Sequence, residues 1–269
     1  MIKREENGIP YYTFKELDDP KFSFVRYAVS TRRGGVSKGE TLGTLNMGTR
    51  TGDNMENVKE NYRIFLSALS LPAERVVLGN QTHSLNVRAV SEKDAGKGIF
   101  RARDYTDVDA LITNEKNLPL SIHTADCVPV TLIDIKNKAV GNAHCGWRGT
   151  LGRLSAVTLS AMKEAYGTDF KDVTALIGPC IHKCCYEVSE DLYETFLKEF
   201  HAIDLILKKD NKFYLDLPNL NRLALEEAGV PTVLVSDICT CCNKDEFYSH
   251  RGLGPKRGVF STFVCKIKD

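Results

Sequence analysis

Three residues set far apart in the chain, His83, Cys127 and His144, have the side-chain types that a zinc centre uses. The chain carries six histidines, so where they fall is informative. His83 lies in GNQTHS, a polar turn between two strand-like runs. His123 and Cys127 lie in LSIHTADCVPVTLID, where polar TAD interrupts two apolar runs. His144 ends KAVGNAH and precedes CGWRGT, a glycine-containing turn into a helix-period segment. Strand ends and the turns after them are where α/β folds present functional groups. Imidazole nitrogen and thiolate sulfur suit zinc, and three protein ligands with an open fourth position are its catalytic arrangement. Such a metal lowers the pKa of bound water to about 7, giving a hydroxide nucleophile at neutral pH. Copper accepts the same donors. Spacing alone leaves His123 free to replace either histidine. It also fits two of the three being satisfied core or turn residues.

The same residues allow a metal-free reading. Cys127 and His144 are the parts of a thiol nucleophile and its base, with Asp126 or Asp134 to orient the imidazole. Anion contacts are expected elsewhere. In AHCGWRGT, Gly146 and Gly149 permit close backbone approach, Arg148 adds a cation, and Trp147 is the only tryptophan. In STRRGGVSKG, Arg32 and Arg33 precede a Gly-Gly turn without the full phosphate-loop pattern. The thiols of GPCIHKCCYEV and of CTCC are too close together for zinc-ribbon spacing, so they are expected to be buried structural cysteines and not a second metal site.

Elements able to position these groups are visible as periodicity. Apolar, β-branched runs at 22–29, 75–78, 108–112, 128–133, 173–177, 232–235 and 259–264 read as strands. Helical faces run through Val58, Tyr62, Phe65, Leu66 and Leu69, and through Leu154, Val157, Ala161, Met162 and Ala165, with Gly167 as a stop. Leu192, Phe196, Leu197 and Phe200 mark a third helix capped by Ser189. Leu220, Leu223, Ala224 and Ala228 mark a fourth, between Pro218 and Gly229. Strands outnumber helices without strict alternation, which predicts a mixed-sheet α/β fold in one domain, 1–269.

Composition sets the class. The chain is 42% hydrophobic and 26% charged, with a formal net charge of +1. No basic excess or stripe favours nucleic acid. No secretory signal, membrane span or lipidation box is seen, which predicts a cytoplasmic protein and no membrane partner. Nine cysteines, an odd number, in a chain of this length read as reduced thiols.

Taken in order, STRRGGVS, LNMGTRTGDNMENVKENYRIF, NQTHS, DVDALIT, TADCVPVTLID, VGNAHCGWRGT, IGPCIHKCCYEVSEDL, LDLPNLNRLAL and CTCC with FYSHR resemble a known family. It is the multicopper polyphenol oxidase (laccase-domain) family, also called peptidoglycan editing factor and now regarded as purine nucleoside phosphorylases with adenosine deaminase activity. The resemblance implies mixed sheets in a layered, α/β/β/α-like arrangement. It implies a catalytic zinc on His83, Cys127 and His144, with His123 in a supporting role. It also implies phosphorolysis of adenosine, inosine, guanosine and 5′-methylthioadenosine, and deamination of adenosine. Purine nucleosides and phosphate are then the expected partners, with Arg32, Gln81 and Arg148 as candidate substrate contacts. Two alternatives stand beside it: a copper-dependent phenol oxidase, and a cysteine hydrolase or editing factor for cell-wall precursors. A multicopper oxidase needs more ligands than three, including His-x-His runs, and the chain has none. The chain departs from the family pattern at Ser84, usually Gly, at Cys145, usually a smaller residue, and in its loose SHRGLGPKRGVFSTF ending. Cys145 is expected to put a further thiol near the metal.

Overall fold

Two central strands explain the architecture. β8 (Val128–Asp134) and β9 (Ala139–Cys145) are buried at every residue, which requires cover on both faces. They are the middle of a six-stranded sheet in the order β14 (Thr232–Val235), β10 (Val173–Ile177), β8, β9, β6 (Ala110–Thr113), β5 (Val87–Ala89). A second six-stranded sheet runs β1 (Ile2–Glu6), β2 (Ile9–Thr13), β3 (Val25–Ser30), β15 (Phe260–Lys266), β7 (Leu120–Thr124), β4 (Val77–Leu78). Both sheets mix parallel and antiparallel pairs. A small antiparallel sheet joins β11 (Glu187–Val188), β13 (Lys212–Leu215) and β12 (Ile206–Lys209). The structure, a computed structural model, describes residues 1–39 and 41–269.

Three apolar clusters define the layers. Tyr27, Val29, Leu120 and Val264 of one large sheet meet Leu111, Ile133, Val140 and Leu176 of the other, so the two sheets pack face to face. The outer face of the first sheet is covered by α1 (Met55–Ala68), through Val58, Tyr62, Phe65 and Leu66 against Ala28 and Phe263. Each such side chain contributes about 1.5–3 kcal/mol by leaving water. The outer face of the second sheet is covered by α3 (Leu154–Tyr166), α4 (Glu190–Phe200) and α5 (Leu217–Glu227), through Leu154, Phe196, Leu220 and Leu225. Short helices α2 (Trp147–Leu151) and α6 (His250–Leu253) complete the elements. The result is a single α/β domain layered α/β/β/α, as the resemblance implied. Among the described residues, no helix is long and apolar enough to cross a membrane.

Local signals act where they were expected. The Ser189 side chain accepts from Leu192 N, and Gly167 ends α3 in the left-handed region at φ 69°. Pro218 falls in the first turn of α5, which Asp216 caps by accepting from Asn219 N. Some boundaries move. Residue 22 closes a 3-10 turn and the strand begins at Val25, while 73–75 form another such turn, leaving only Val77–Leu78 as strand. The β1–β2 hairpin went unpredicted although Asn7-Gly8, both at positive φ, is a strong two-residue hairpin turn.

Candidate active site

His83, Cys127 and His144 converge. Their candidate ligand atoms all lie within 4.8 Å of one another, with Cys127 Sγ 3.8 Å from His83 Nε2 and the two imidazoles 4.9 Å apart, edge to face. Each comes from a different kind of segment. His144 is near the end of β9, Cys127 immediately precedes β8 and follows a left-handed Asp126 (φ 100°), and His83 sits in the β4–β5 loop, itself left-handed at φ 67°. Backbone strain at both positions is held by side-chain bonds. Asp126 accepts from Thr240 Oγ1 at 2.7 Å and Arg251 N at 2.7 Å.

The His83 turn is held by Asp109, just before β6. Its carboxylate accepts from the amides of Thr82 (2.9 Å), His83 (3.1 Å) and Ser84 (2.8 Å), and from Ser84 Oγ at 2.9 Å. The same group lies 2.8 Å from His144 Nδ1. A carboxylate there fixes the proton on Nδ1 and leaves Nε2 to face Cys127. Asp109 is fully buried, which alone would raise its pKa. The His144 imidazole and the loop amides outweigh burial and hold it well below the usual carboxylate range.

Gly146 makes the convergence possible. A Cβ built there would stand 2.6 Å from His83 Cδ2 and 3.2 Å from Cys127 Sγ. In the metal-free arrangement Cys127 and His144 behave as an ion pair. Burial would raise the thiol, but His144 and His83 bring it down to about 6. Burial would lower His144, but the Cys127 thiolate and Asp109 lift it to about 9.

The supporting residues are placed less uniformly. His123 lies outside the trio. Its Nε2 is 2.6 Å from Tyr62 Oη, and burial with Arg103 nearby lowers its pKa to about 3, so the ring is neutral. Gln81 exchanges two hydrogen bonds with the His123 backbone, at 2.7 and 2.8 Å, while still lining the cleft. Arg148 is exposed and lies over the Trp147 ring, 4.1 Å from its centroid. Arg32 lies over Tyr248 and donates to the Lys244 carbonyl at 2.8 Å. Neither arginine lines a cleft at the trio.

Two sequence expectations are corrected. Cys145 does not join the trio, because strand alternation turns it from His144 into the core with Leu154 and Leu159, where burial pushes its thiol pKa up. The carboxylate that orients His144 is Asp109, in the DVDALIT stretch, and not Asp126 or Asp134. Asp134 instead accepts from Lys136 N and Asn137 N in the β8–β9 turn.

Two clefts flank the trio, and His83 and Cys127 line both. One, of about 300 Å³, carries Arg50, Arg103 and Arg257 with Thr124 and His144. The other, of about 350 Å³, is more apolar and is walled by Trp147, Ile181, Tyr186 and Leu217, with His250, Arg251 and Arg257. Arg257 belongs to both, and among the described residues its Nε has no hydrogen-bond partner. These cations went unread in the sequence. Arg50 lies in the quoted LNMGTRTGD stretch, and Arg251 and Arg257 lie in SHRGLGPKRG. A larger depression of about 810 Å³ around Arg63, Glu74 and Lys116 holds no thiol or imidazole.

Two histidine nitrogens and one sulfur, a carboxylate behind one imidazole and open clefts in front are the parts of a metal-assisted enzyme on an α/β/β/α scaffold. Residues 26–266 match the family described as multi-copper polyphenol oxidoreductase laccase, and the chain belongs to it. A purine nucleoside phosphorylase from Bacteroides thetaiotaomicron is 36% identical over 88% of this chain and 90% of its own. Adenosine deaminase RL5, from an unknown prokaryote, is 32% identical over 89% and 93%. The crystal structure of YlmD from Geobacillus stearothermophilus superposes with a TM-score of 0.89 at 30% identity, covering 99% of each chain.

Proposed function

We propose that the chain is a zinc-dependent purine nucleoside enzyme. It would phosphorolyse adenosine, inosine, guanosine and 5′-methylthioadenosine to base and ribose 1-phosphate, and hydrolytically deaminate adenosine to inosine. The observation that carries the reading is the convergence of His83, Cys127 and His144 between a cationic and an apolar cleft. The names of the two curated relatives point to nucleosides as the substrate class.

The donor set fits zinc: two nitrogens and a thiolate in reach of one ion, with the Asp109 carboxylate behind His144. Bound there, zinc would supply Lewis acidity and activate water near neutral pH. The protein's own groups do the rest. Tyr186 and Trp147 offer aromatic surface to a purine, and Arg50, Arg103 and Arg257 offer positive charge to phosphate. In phosphorolysis a phosphate oxygen bonds to ribose C1′ as the C1′–N9 bond breaks, and the base leaves with the electron pair and takes a proton. The arginines hold the nucleophile against C1′ by charge, since an anion and a departing purine must be kept aligned without water. Cytoplasmic residence is part of the proposal and rests on the bacterial relatives.

One observation favours a second reading. Cys127, His144 and Asp109 also form a nucleophile, base and orienting carboxylate, with the thiol pKa already lowered. Incubating adenosine with and without phosphate separates the two, using zinc-loaded protein, chelator-stripped protein, Cys127→Ala and His144→Ala. Adenine formed only with phosphate, and inosine formed without it, both lost on stripping and restored by zinc, are expected. Turnover that survives stripping but not Cys127→Ala would transfer the proposal to the cysteine hydrolase. A copper-restored phenol oxidation without nucleoside turnover would favour the family's older description.

A further inference from the structure

A second cluster of metal-binding side chains lies outside the site. Cys184, Cys185, Cys239 and Cys242 bring their sulfurs within 4.8 Å of one another, with Cys185 and Cys242 at 3.4 Å and Cys184 and Cys242 at 3.7 Å. The expectation that these thiols are simply buried is thereby overturned, since Cys184 and Cys242 are exposed. The CC pair and the C-x2-C pair are 54 residues or more apart, so sequence spacing hides the set.

We propose that these four cysteines form a structural tetrathiolate zinc site. Four sulfurs at about 2.3 Å from one tetrahedral zinc stand about 3.8 Å apart, and the measured 3.4 and 3.7 Å separations are close to that edge. A polynuclear iron–sulfur cluster divides its thiolates among several irons and needs a wider cage, so the compact set favours a single ion. The surroundings suit a negatively charged centre. The Arg251 guanidinium brings positive charge beside the cluster, donating to the Cys185 carbonyl at 3.0 Å and the Glu187 carbonyl at 2.9 Å.

The site would have mechanical work to do. Residues 179–186 and 236–249 contain no helix or regular strand and are joined by an isolated bridge between Cys180 and Cys239. Beyond the thiols they continue into Tyr186 on one side and His250 and Arg251 on the other, all of which line the apolar cleft. One ion holding both segments fixes that wall much as a long-loop cross-link does. The four thiols share no residue with His83, Cys127 and His144, so this site stands or falls separately from the nucleoside reading.

The test is metal content of protein purified without added metal, in the Cys127→Ala background that disables the other centre. About one zinc per chain is expected, falling to none on adding Cys184→Ser and Cys242→Ser while the circular dichroism spectrum is unchanged. If the added substitutions prevent folding, Cys127→Ala is stripped and reloaded with cobalt, and a strong thiolate-to-cobalt charge-transfer band is expected. No metal and no such band in Cys127→Ala would overturn the proposal. So would a Cys185–Cys242 disulfide in its non-reduced intact mass, or stoichiometric iron and sulfide.

Discussion

Asp109→Asn tests the logic of the site with a change of one atom. The carboxylate is fully buried, and its two oxygens serve different partners. Oδ2 accepts from Thr82 N, Ser84 N and Ser84 Oγ at 2.8–2.9 Å, while Oδ1 accepts from His83 N at 3.1 Å and faces His144 Nδ1 at 2.8 Å. An asparagine keeps one acceptor oxygen, and the three donors on the Oδ2 side will hold it there. Its amide NH2 then meets His83 N–H and His144 Nδ1. To accept that hydrogen, His144 must move its own proton to Nε2, the nitrogen that would ligate the metal. Loss of such a carboxylate costs about 10–100-fold in metal affinity, or about 1.4–2.8 kcal/mol. The assay is zinc competition against a chromophoric chelator in a Cys184→Ser/Cys242→Ser background, so that one site reports. Affinity within twofold of the parent would refute the assignment of the tautomer and of Asp109 as its cause.

Four further outcomes follow from the geometry. Gly146→Ala has an allowed backbone (φ −64°, ψ −178°) but a Cβ inside the His83 ring's space, so zinc at this site should be lost with the melting temperature held. Calorimetry with metal analysis checks both. In stripped protein, Cys127 should alkylate with a midpoint near pH 6, reactive above and quiet below. His144→Ala should move that midpoint up toward the ordinary thiol range, as a pH series with mass mapping would read. The pair's contribution to stability should be present between about pH 6 and 9, falling in acid as Cys127 protonates and in base as His144 loses its proton. Tyr62→Phe strands His123 Nε2 in the interior, which should cost about 1–3 kcal/mol by urea unfolding. An unchanged midpoint would mean water replaces the phenol.

Much of the fold was legible because its strongest strands are also its most buried. The run at 173–177, buried at every residue and followed by Gly178-Pro179, is a strand to the residue, and the less buried edge run at 232–235 matches as well. Boundaries failed where a 3-10 turn carried the same apolar residues as the strand after it, at Phe22 and Ala73. The trio of His83, Cys127 and His144 was visible in residue type, but its convergence appears only on folding, because its members depend on pairing between β6, β8 and β9. Asp109 escaped notice for the same reason: its partners are backbone amides 25 to 27 positions away and an imidazole 35 away. Arginines pose a harder problem. Nothing local separates cleft-lining Arg257 from Arg148 stacked on its neighbour, since only the tertiary path of the chain decides which one meets the site.

The position of β15 has a consequence for how the protein comes into being. This strand lies between β3 and β7, and Ser261 N bonds Ser30 Oγ across 231 residues of chain. Until it emerges from the ribosome, both neighbours present open edges, ready to pair with the wrong strand. Arg257 and the partner of the His123–Thr124 segment arrive in the same stretch. A nascent chain can therefore assemble the helical layer over β8 and β9 early, yet its cleft stays unfinished until the final strand is inserted. Catalytic competence and escape from aggregation are acquired in one late step, and a chaperone that shields the β3 and β7 edges should raise the yield of active enzyme more than one that acts on the helices.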